Sequence, residues 1–600
     1  MRAAPSENRA DICGHAADTP RGPDARDNRP MTHTPFPARR GGRLLVDQLL
    51  AQGVTHAYCV PGESYLAVLD ALHDAPIALT VCRQEGGAAM MAEAHGKLTG
   101  QPGVCFVTRG PGATNASAGV HVARQDSTPL ILFVGQVRRD ARGREGFQEL
   151  DYARTFADLA KWTVEVDSAA RLPELVSRAF HVACGGRPGP VVVALPEDVL
   201  DAEAAVEVAR LRTVAEPAPS PRDLLAVESL LAEAERPLLI AGGSRWTSEA
   251  RRHLRRLAED LALPVATSFR RQGLVPTSHP CHVGELGVAC EPALVDFAAG
   301  SDLILLVGGR LAEVPSQGWT LLDIPNPRQR LVHVHPGPEE LGRVYRADVA
   351  INATPETFLE PLARAVSRDV SPLVRRDDWS PRTATRHAER LAWSTPTATS
   401  PGAFDPAGAV AELAPRLPSD AVVTNGAGNY ATWVHRFHPV ERPDARLAPT
   451  SGSMGYGLPA AIAAARLDPS RPAIAFAGDG CFLMTGQELA TAVQYALPVV
   501  IVVIDNGMYG TIRMHQERHY PGRVSATELR NPDFAAYARA FGAHGERVER
   551  TEAFGEALDR ALAANGPAVL HCLLDPEAIT IERTLSELRD GAPHASNPRK

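Results

Sequence analysis

The sequence predicts an α/β protein made of three doubly wound parallel-sheet domains. Short apolar runs rich in β-branched residues alternate with helical stretches through most of the chain, which is the pattern of βαβ units. Two polar, Pro-rich stretches, about 201–220 and 371–405, split that pattern into parts of similar size. Glycine-rich turns follow several of the strands, at the edge where open α/β sheets place ligands. At 600 residues the chain exceeds one compact core, and roughly 100–200 residues per domain gives three or four domains.

Residues 1–40 carry Pro, Arg, Asp and Ala without apolar periodicity and are expected to be a disordered tail, with Met31 a second candidate start. The first domain, 41–205, is expected to begin with a helix over 44–52, a strand over 56–60, a helix over 65–73 and a strand over 78–81 that ends at Arg83-Gln84-Glu85-Gly86-Gly87. A helix over 88–99, a strand over 104–108, a Gly-rich turn over 109–115, a helix to 125 and a strand over 130–134 follow, with the last strand at 188–195. The central domain, 221–370, shows strand runs at 237–241, 263–267, 303–307 and 331–335. Residues 371–405 are expected to be a linker, and 406–590 the third domain.

The third domain contains the most informative stretch. Runs at 473–477 and 499–504 flank a helical segment, 486–496, that sets Leu489, Ala492, Val493 and Ala496 on one stripe. A crossover makes the two strands parallel, so Asp479 after the first and Asn506 after the second converge at one edge. Gly478 and Gly480 let backbone amides approach an anion, and Asn506-Gly507-Met508-Tyr509-Gly510 forms a second flexible turn. Magnesium takes six oxygen ligands, which Asp479, Asn506, a carbonyl at Met508 and a diphosphate would supply. A GDG turn alone is more often an ordinary βαβ turn. The second turn at the same edge favours the metal-diphosphate reading.

Composition excludes other classes. A net charge of −8 gives no basic footprint for nucleic acid, and no apolar run reaches the roughly 20 residues of a membrane span. The nine cysteines lack metal-ligand spacing, and Cys59, Cys82 and Cys105 fall in apolar strand runs. They are expected to be reduced core thiols of a protein of the cytoplasm.

The 473–512 stretch resembles the diphosphate-binding motif of thiamin diphosphate (ThDP) enzymes, with Asp505-Asn506 in place of a paired asparagine. The segment RQEGGAAMMAEAHGKLTG resembles the one that carries their catalytic glutamate, which implies that Glu85 contacts the aminopyrimidine ring nitrogen. Pro61-Gly62, Gly110–Asn115, Gln136, residues 147–149, 187–190, 426–437 and 451–459 extend the resemblance to acetolactate synthase catalytic subunits over most of 42–590. The three domains would then be pyrimidine-binding, central and diphosphate-binding.

The resemblance implies a ThDP- and magnesium-dependent carboligase that decarboxylates pyruvate and adds the two-carbon unit to a second 2-oxo acid, as in branched-chain amino acid biosynthesis. It places Pro61, Gly428, Asn429, Tyr430, Gly452, Met454, Gly478, Gly480, Cys481, Tyr509 and Gly510 around the cofactor, with Met454 as its apolar prop. It places Phe147, Gln148, Lys161 and His515 at the substrate pocket. It further implies a homo-oligomer with the site at the dimer interface, and a possible regulatory subunit. His515 replaces a tryptophan that shapes the pocket for the second substrate, and Glu63-Ser64 replace a small pair. Arg310 matches a flavin-contacting arginine, but Ala157, Gly284 and His335 stand where the family has Arg, His and Asp, so bound FAD is not expected. The alternatives are a ThDP-dependent decarboxylase or lyase with another donor and a ThDP-binding protein without turnover; intact Glu85, Asp479 and Asn506 argue against the second.

Overall fold

A computed structural model of the protein describes residues 36–591 except 212, 367–377 and 398. Most of the expected tail, with Met31, and residues 371–377 of the expected linker lie outside the described residues. Arg39–Arg40 pairs antiparallel with Glu203–Ala204, so this end of the tail belongs to the first domain.

Three six-stranded sheets follow one another along the chain, and every strand pair within them is parallel. The first contains β1 (His56–Cys59), β2 (Ala78–Val81), β3 (Gly103–Val107), β4 (Leu130–Gln136), β5 (Trp162–Glu165) and β6 (Pro190–Pro196), in the order β2-β1-β3-β4-β6-β5. The second contains β7 (Pro237–Ala241), β8 (Val265–Ser268), β9 (His282–Leu286), β10 (Leu303–Val307), β11 (Arg330–His335) and β12 (Val349–Asn352), ordered β9-β8-β7-β10-β11-β12. The third contains β13 (Val422–Asn425), β14 (Arg446–Leu447), β15 (Ala473–Gly478), β16 (Val499–Asp505), β17 (His544–Val548) and β18 (Ala568–Leu573), ordered β14-β13-β15-β16-β18-β17. The first and third sheets therefore share one topology, although the chain carries no sequence repeat. Each has its switch point between its first and third strands, where an open sheet leaves a crevice.

In the first two sheets, strands β5, β9 and β12 had no counterpart in the sequence reading, and all three lie at sheet edges, where one side has no neighbour and a continuous apolar run is not needed. In the third sheet the reading placed only β15 and β16, and β13, β14, β17 and β18 had no counterpart. The Gly-rich turn expected over 109–115 is instead the start of a helix, Gly110–Asp126, with Pro111 in its first turn where the absent N–H is no loss. The helix expected over 486–496 is a 3₁₀ turn, Gly486–Glu488, followed by Leu489–Gln494. Ala496 leaves the stripe, exposed and at φ +48°. Within the expected linker, Ser380–Trp393 is a helix of the central domain: the Trp379 indole donates to Ala234 O at 3.1 Å and Arg382 to Pro237 O at 2.9 Å.

The first and third domains share a core. Small residues of the helix Glu85–Thr99, among them Ala88 and Ala92, join Ala460 and Ala464 of the helix Gly457–Leu467 in one buried cluster. All three domains meet at Asp126, which is 1% exposed. Its carboxylate accepts from Thr450 N of the third domain at 3.0 Å and faces Lys97 of the first and Arg271 of the second, each at 3.2 Å. Burial alone would raise the pKa of Asp126, but Lys97 and Arg271 outweigh it and hold the acid below its usual range. The neighbouring Arg270, at φ +57°, turns the other way and donates to Pro449 O and Gly426 O. Among the described residues no helix is long and apolar enough to cross a membrane.

Candidate active site

A cavity of about 260 Å³ opens at the C-terminal edge of the third sheet, at its switch point. Register pairs Gly478 with Ile504, which puts the turns after β15 and β16 side by side. The turn after β13 contributes Gly428, Asn429 and Tyr430, and the segment before the helix Gly457–Leu467 contributes Gly452 and Met454. Gly478, Asp479, Gly480 and Cys481 come from the turn after β15, and Asn506, Met508, Tyr509 and Gly510 from that after β16. Gly480 has to be glycine, since a Cβ there would stand 2.6 Å from the Tyr509 ring.

The lining combines features suited to an anion and to a cation. Helices Tyr430–Phe437 and Gly510–His519 both begin at the cavity, so their N-terminal amides and dipoles favour negative charge there. The lining holds no Lys, Arg or His, and Asp479 is its single carboxylate. Asp479 is 3% exposed, and its pKa is pushed up to about 6 by burial, with Asp505 adding to the rise. A diphosphate here would sit beside a buried carboxylate with no basic side chain, and the donor set of Asp479, the Asn506 amide and carbonyls would suit a magnesium ion between them. Among the described residues there is no cluster of three or more His, Cys, Asp or Glu that could hold a metal by itself.

Asn429 and Tyr430 are engaged within the fold. The Asn429 carbonyl accepts from the Thr511 hydroxyl at 2.8 Å, and its amide donates to Ile579 O at 2.9 Å. The Tyr430 hydroxyl accepts from Gly426 N at 3.1 Å and lies 3.2 Å from Cys481 Sγ. Its ring rather than its hydroxyl thus faces Gly428 in the turn after β13 and Gly478 at the end of β15. Among the lining residues that the sequence reading did not single out are Thr511 and the apolar Trp433, Ile504, Ile512, Leu574 and Ile579. The reading also missed Asn531, whose amide donates to both Asp479 and Asp505, and His571, which lies 2.9 Å from Asp505. Burial would raise Asp505, but the bonds from His571, Asn531 and Gly507 N hold its pKa down.

The first-domain candidates form a separate group, and none of them lines this cavity. Glu85 is the first residue of the helix Glu85–Thr99; its Oε2 accepts from Asn115 at 3.0 Å, and its Oε1 faces Gly112. Pro61 is exposed at the neighbouring strand end, Phe147 is 71% exposed, and Gln148 is held at φ +64° with its carbonyl accepting from Gly110 N. Lys161 departs from the expectation of a pocket-entrance residue. Its ammonium is turned inward onto Val182 O at 2.5 Å and Gly185 O at 2.7 Å at the end of the helix Leu172–Cys184, and burial lowers its pKa to about 8. His515 is exposed on the helix Gly510–His519 with its ring stacked over His519. Glu63 pairs with Arg109 at 3.1 Å, and Ser64 is buried against Thr108.

At the C-terminal edge of the second sheet, side chains bond to backbone carbonyls, two of them in the turn after β7 and one in the first domain. The Trp246 indole donates to Gly242 O at 2.7 Å, Arg271 Nε to Gly243 O at 2.7 Å and Arg310 to Gln125 O at 2.8 Å. His335, whose pKa burial lowers to about 4, accepts from Gly337 N at 3.0 Å. A Cβ on Gly284 would meet Leu294 at 2.8 Å.

Three domain families match the chain in the order of the three sheets. Residues 39–155 match the thiamine pyrophosphate enzyme N-terminal TPP binding domain, 224–362 the central domain and 426–572 the C-terminal TPP binding domain. The acetolactate synthase isozyme 2 large subunit of Escherichia coli is 32% identical over 539 residues, 89% of this chain and 95% of that one. A probable acetolactate synthase large subunit of Methanocaldococcus jannaschii is 31% identical, over 90% of this chain and 92% of its own. The acetolactate synthase large subunit of Parasynechococcus marenigrum is 34% identical, over 88% and 86%. The chain thus belongs to the thiamine pyrophosphate enzyme family, in which it is similar to acetolactate synthase large subunits, and the cavity lies in the part that matches the C-terminal TPP binding domain.

Proposed function

We propose that the protein is a magnesium- and ThDP-dependent carboligase that takes pyruvate as donor and a second 2-oxo acid as acceptor. The observation that carries the cofactor part is the cavity lining, with two helix N-termini, one buried carboxylate and no basic side chain. Asp479, Asn506 and the Met508 carbonyl would hold the cation, and Met454 and Ile512 would pack against the rings. ThDP, when bound, supplies an electron sink that lets a 2-oxo acid lose carbon dioxide and the remaining unit join another carbonyl. Glu85 Oε1 would hold a proton at the aminopyrimidine nitrogen, while Asn115 fixes the other carboxylate oxygen.

Glu85 and Asp479 sit on different domains, and Glu85 does not line its own chain's cavity. This supports a two-fold dimer in which the first domain of one subunit completes the site of the other. The large-subunit relatives make a smaller regulatory partner part of the same reading. At the edge of the second sheet Trp246 and Arg271 are already bonded to the carbonyls of Gly242 and Gly243, and Arg310 to Gln125 O, which supports the reading without FAD. To test the reaction, purified protein with ThDP and magnesium is given a panel of 2-oxo acids, and products are profiled by mass spectrometry. A 2-hydroxy-2-methyl-3-oxo acid formed from pyruvate is expected. Carbon dioxide release from a different donor, with no such product, would favour another decarboxylase or lyase.

A further inference from the structure

The turn that carries Glu85 is held from outside its own domain. Glu488, fully buried in the 3₁₀ turn Gly486–Glu488 of the third domain, accepts at Oε1 from Arg83 N at 3.0 Å and from Gln84 N at 2.9 Å. Its Oε2 accepts from the Thr491 hydroxyl at 2.7 Å, which fixes the carboxylate's rotation. Nearby, the Tyr495 hydroxyl accepts from Val81 N at 2.9 Å and donates to Leu79 O at 3.2 Å, so the outer edge of β2 finds its partners in the third domain. Gly87 makes the approach possible, because a Cβ there would stand 2.7 Å from Glu488 Oε1. A carboxylate just ahead of a helix N-terminus also complements that helix's dipole.

We propose that Glu488 is the positioning residue for Glu85. It clamps the two peptide N–H groups immediately before Glu85 and sets the direction in which that side chain leaves the sheet. The proposal rests on the reading of Glu85 as the proton-handling group of the site. Loss of a clamp that misplaces a reacting group by about 1 Å costs on the order of a hundredfold in rate. Binding of the diphosphate, which Glu488 does not touch, is left intact.

The test measures three quantities in Glu488→Ala, Glu488→Gln and Glu85→Gln: ThDP-magnesium affinity by calorimetry, proton exchange at the cofactor C2 by NMR, and hydrogen exchange of the backbone amides of 83 and 84. In Glu488→Ala, C2 exchange should slow by about a hundredfold with affinity within about threefold, and both amides should lose protection. Glu488→Gln keeps one acceptor oxygen for both amides and should recover most of the rate. Normal C2 exchange in Glu488→Ala, with amide protection lost and Glu85→Gln slow, would overturn the proposal. Normal exchange in Glu85→Gln would instead overturn the reading of Glu85 itself. If Glu488→Ala fails to fold, Thr491→Val, which only frees the carboxylate to rotate, should show the same pattern at a few-fold; an unchanged rate there with protection lost again counts against the clamp.

Discussion

The side-chain amide of Asn531 donates to Asp479 Oδ2 at 2.7 Å, and the same nitrogen donates to Asp505 Oδ1 at 2.8 Å. An amide nitrogen has two hydrogens, one for each carboxylate, so Oδ2 of Asp479 already accepts a hydrogen bond and Oδ1 is the freer oxygen for a cation. Single-oxygen carboxylate ligation suits small octahedral magnesium, whereas calcium takes six to eight oxygens and readily uses both. Asn531→Leu should therefore raise calcium affinity relative to magnesium by about tenfold, roughly 1.4 kcal/mol, measured by calorimetry with ThDP present. An unchanged ratio would show that Asn531 does not set selectivity.

The shared-site reading predicts complementation. Asp479→Ala should lose ThDP binding, whereas Glu85→Gln should keep it and lose kcat by about 10²–10⁴-fold. Mixed under conditions that exchange subunits, the two inactive variants should regain activity, because a heterodimer holds one site with both residues intact. Heterodimers shown to form, yet inactive, would place each site within a single chain.

For the flavin, the expected result is a colourless protein whose turnover does not respond to added FAD. Trp246 and Arg271 already bond the carbonyls of Gly242 and Gly243 at that sheet edge, and Arg310 is turned onto Gln125 O of the first domain. A stoichiometric yellow cofactor after purification would show that these side chains give way.

Asp126 should mark the acid limb of stability. Its pKa is depressed in the fold, so its contribution is present above the unfolded value of about 4 and is lost as pH falls through the lower folded value. Asp126→Asn leaves Lys97 and Arg271 without this partner and should cost about 3–5 kcal/mol near neutral pH, less in acid. Denaturant titrations at several pH values give the comparison, and a loss independent of pH would mean that packing rather than charge is responsible.

Much of this was legible in the sequence because local chemistry recurs at fixed spacing. Asp479 and Asn506 each follow a buried apolar strand, and two adjacent parallel strands leave their turns no choice but to meet. Asn531 and Glu488 were not legible for the opposite reason. Each is an ordinary polar residue whose partner is far along the chain, 52 residues for Asn531 and 405 for Glu488; the fold of the third domain brings Asn531 to Asp479, and the packing of two domains brings Glu488 to residues 83 and 84. Lys161 misled because a buried ammonium capping a helix end looks, in sequence, like one facing a pocket. The edge strands β5 and β12 escaped because half-exposed strands lack the apolar signature, whereas β9 is mostly buried but carries His282, Gly284 and Glu285 in place of an apolar run.

The junction at Asp126 and Arg270 also bears on how such a protein can be recombined. A central domain from a relative, spliced in at the two boundaries, would arrive without Arg270 and Arg271 unless it carried them, leaving buried Asp126 with only Lys97 and Thr450 N as partners and the carbonyls of Gly426 and Pro449 without their guanidinium donor. The natural unit of exchange is therefore not the middle sheet but the sheet together with its neighbours' contact loops. Chimeras that move residues 126, 270–271, 426 and 449–450 as a set are the ones expected to fold as a single cooperative body.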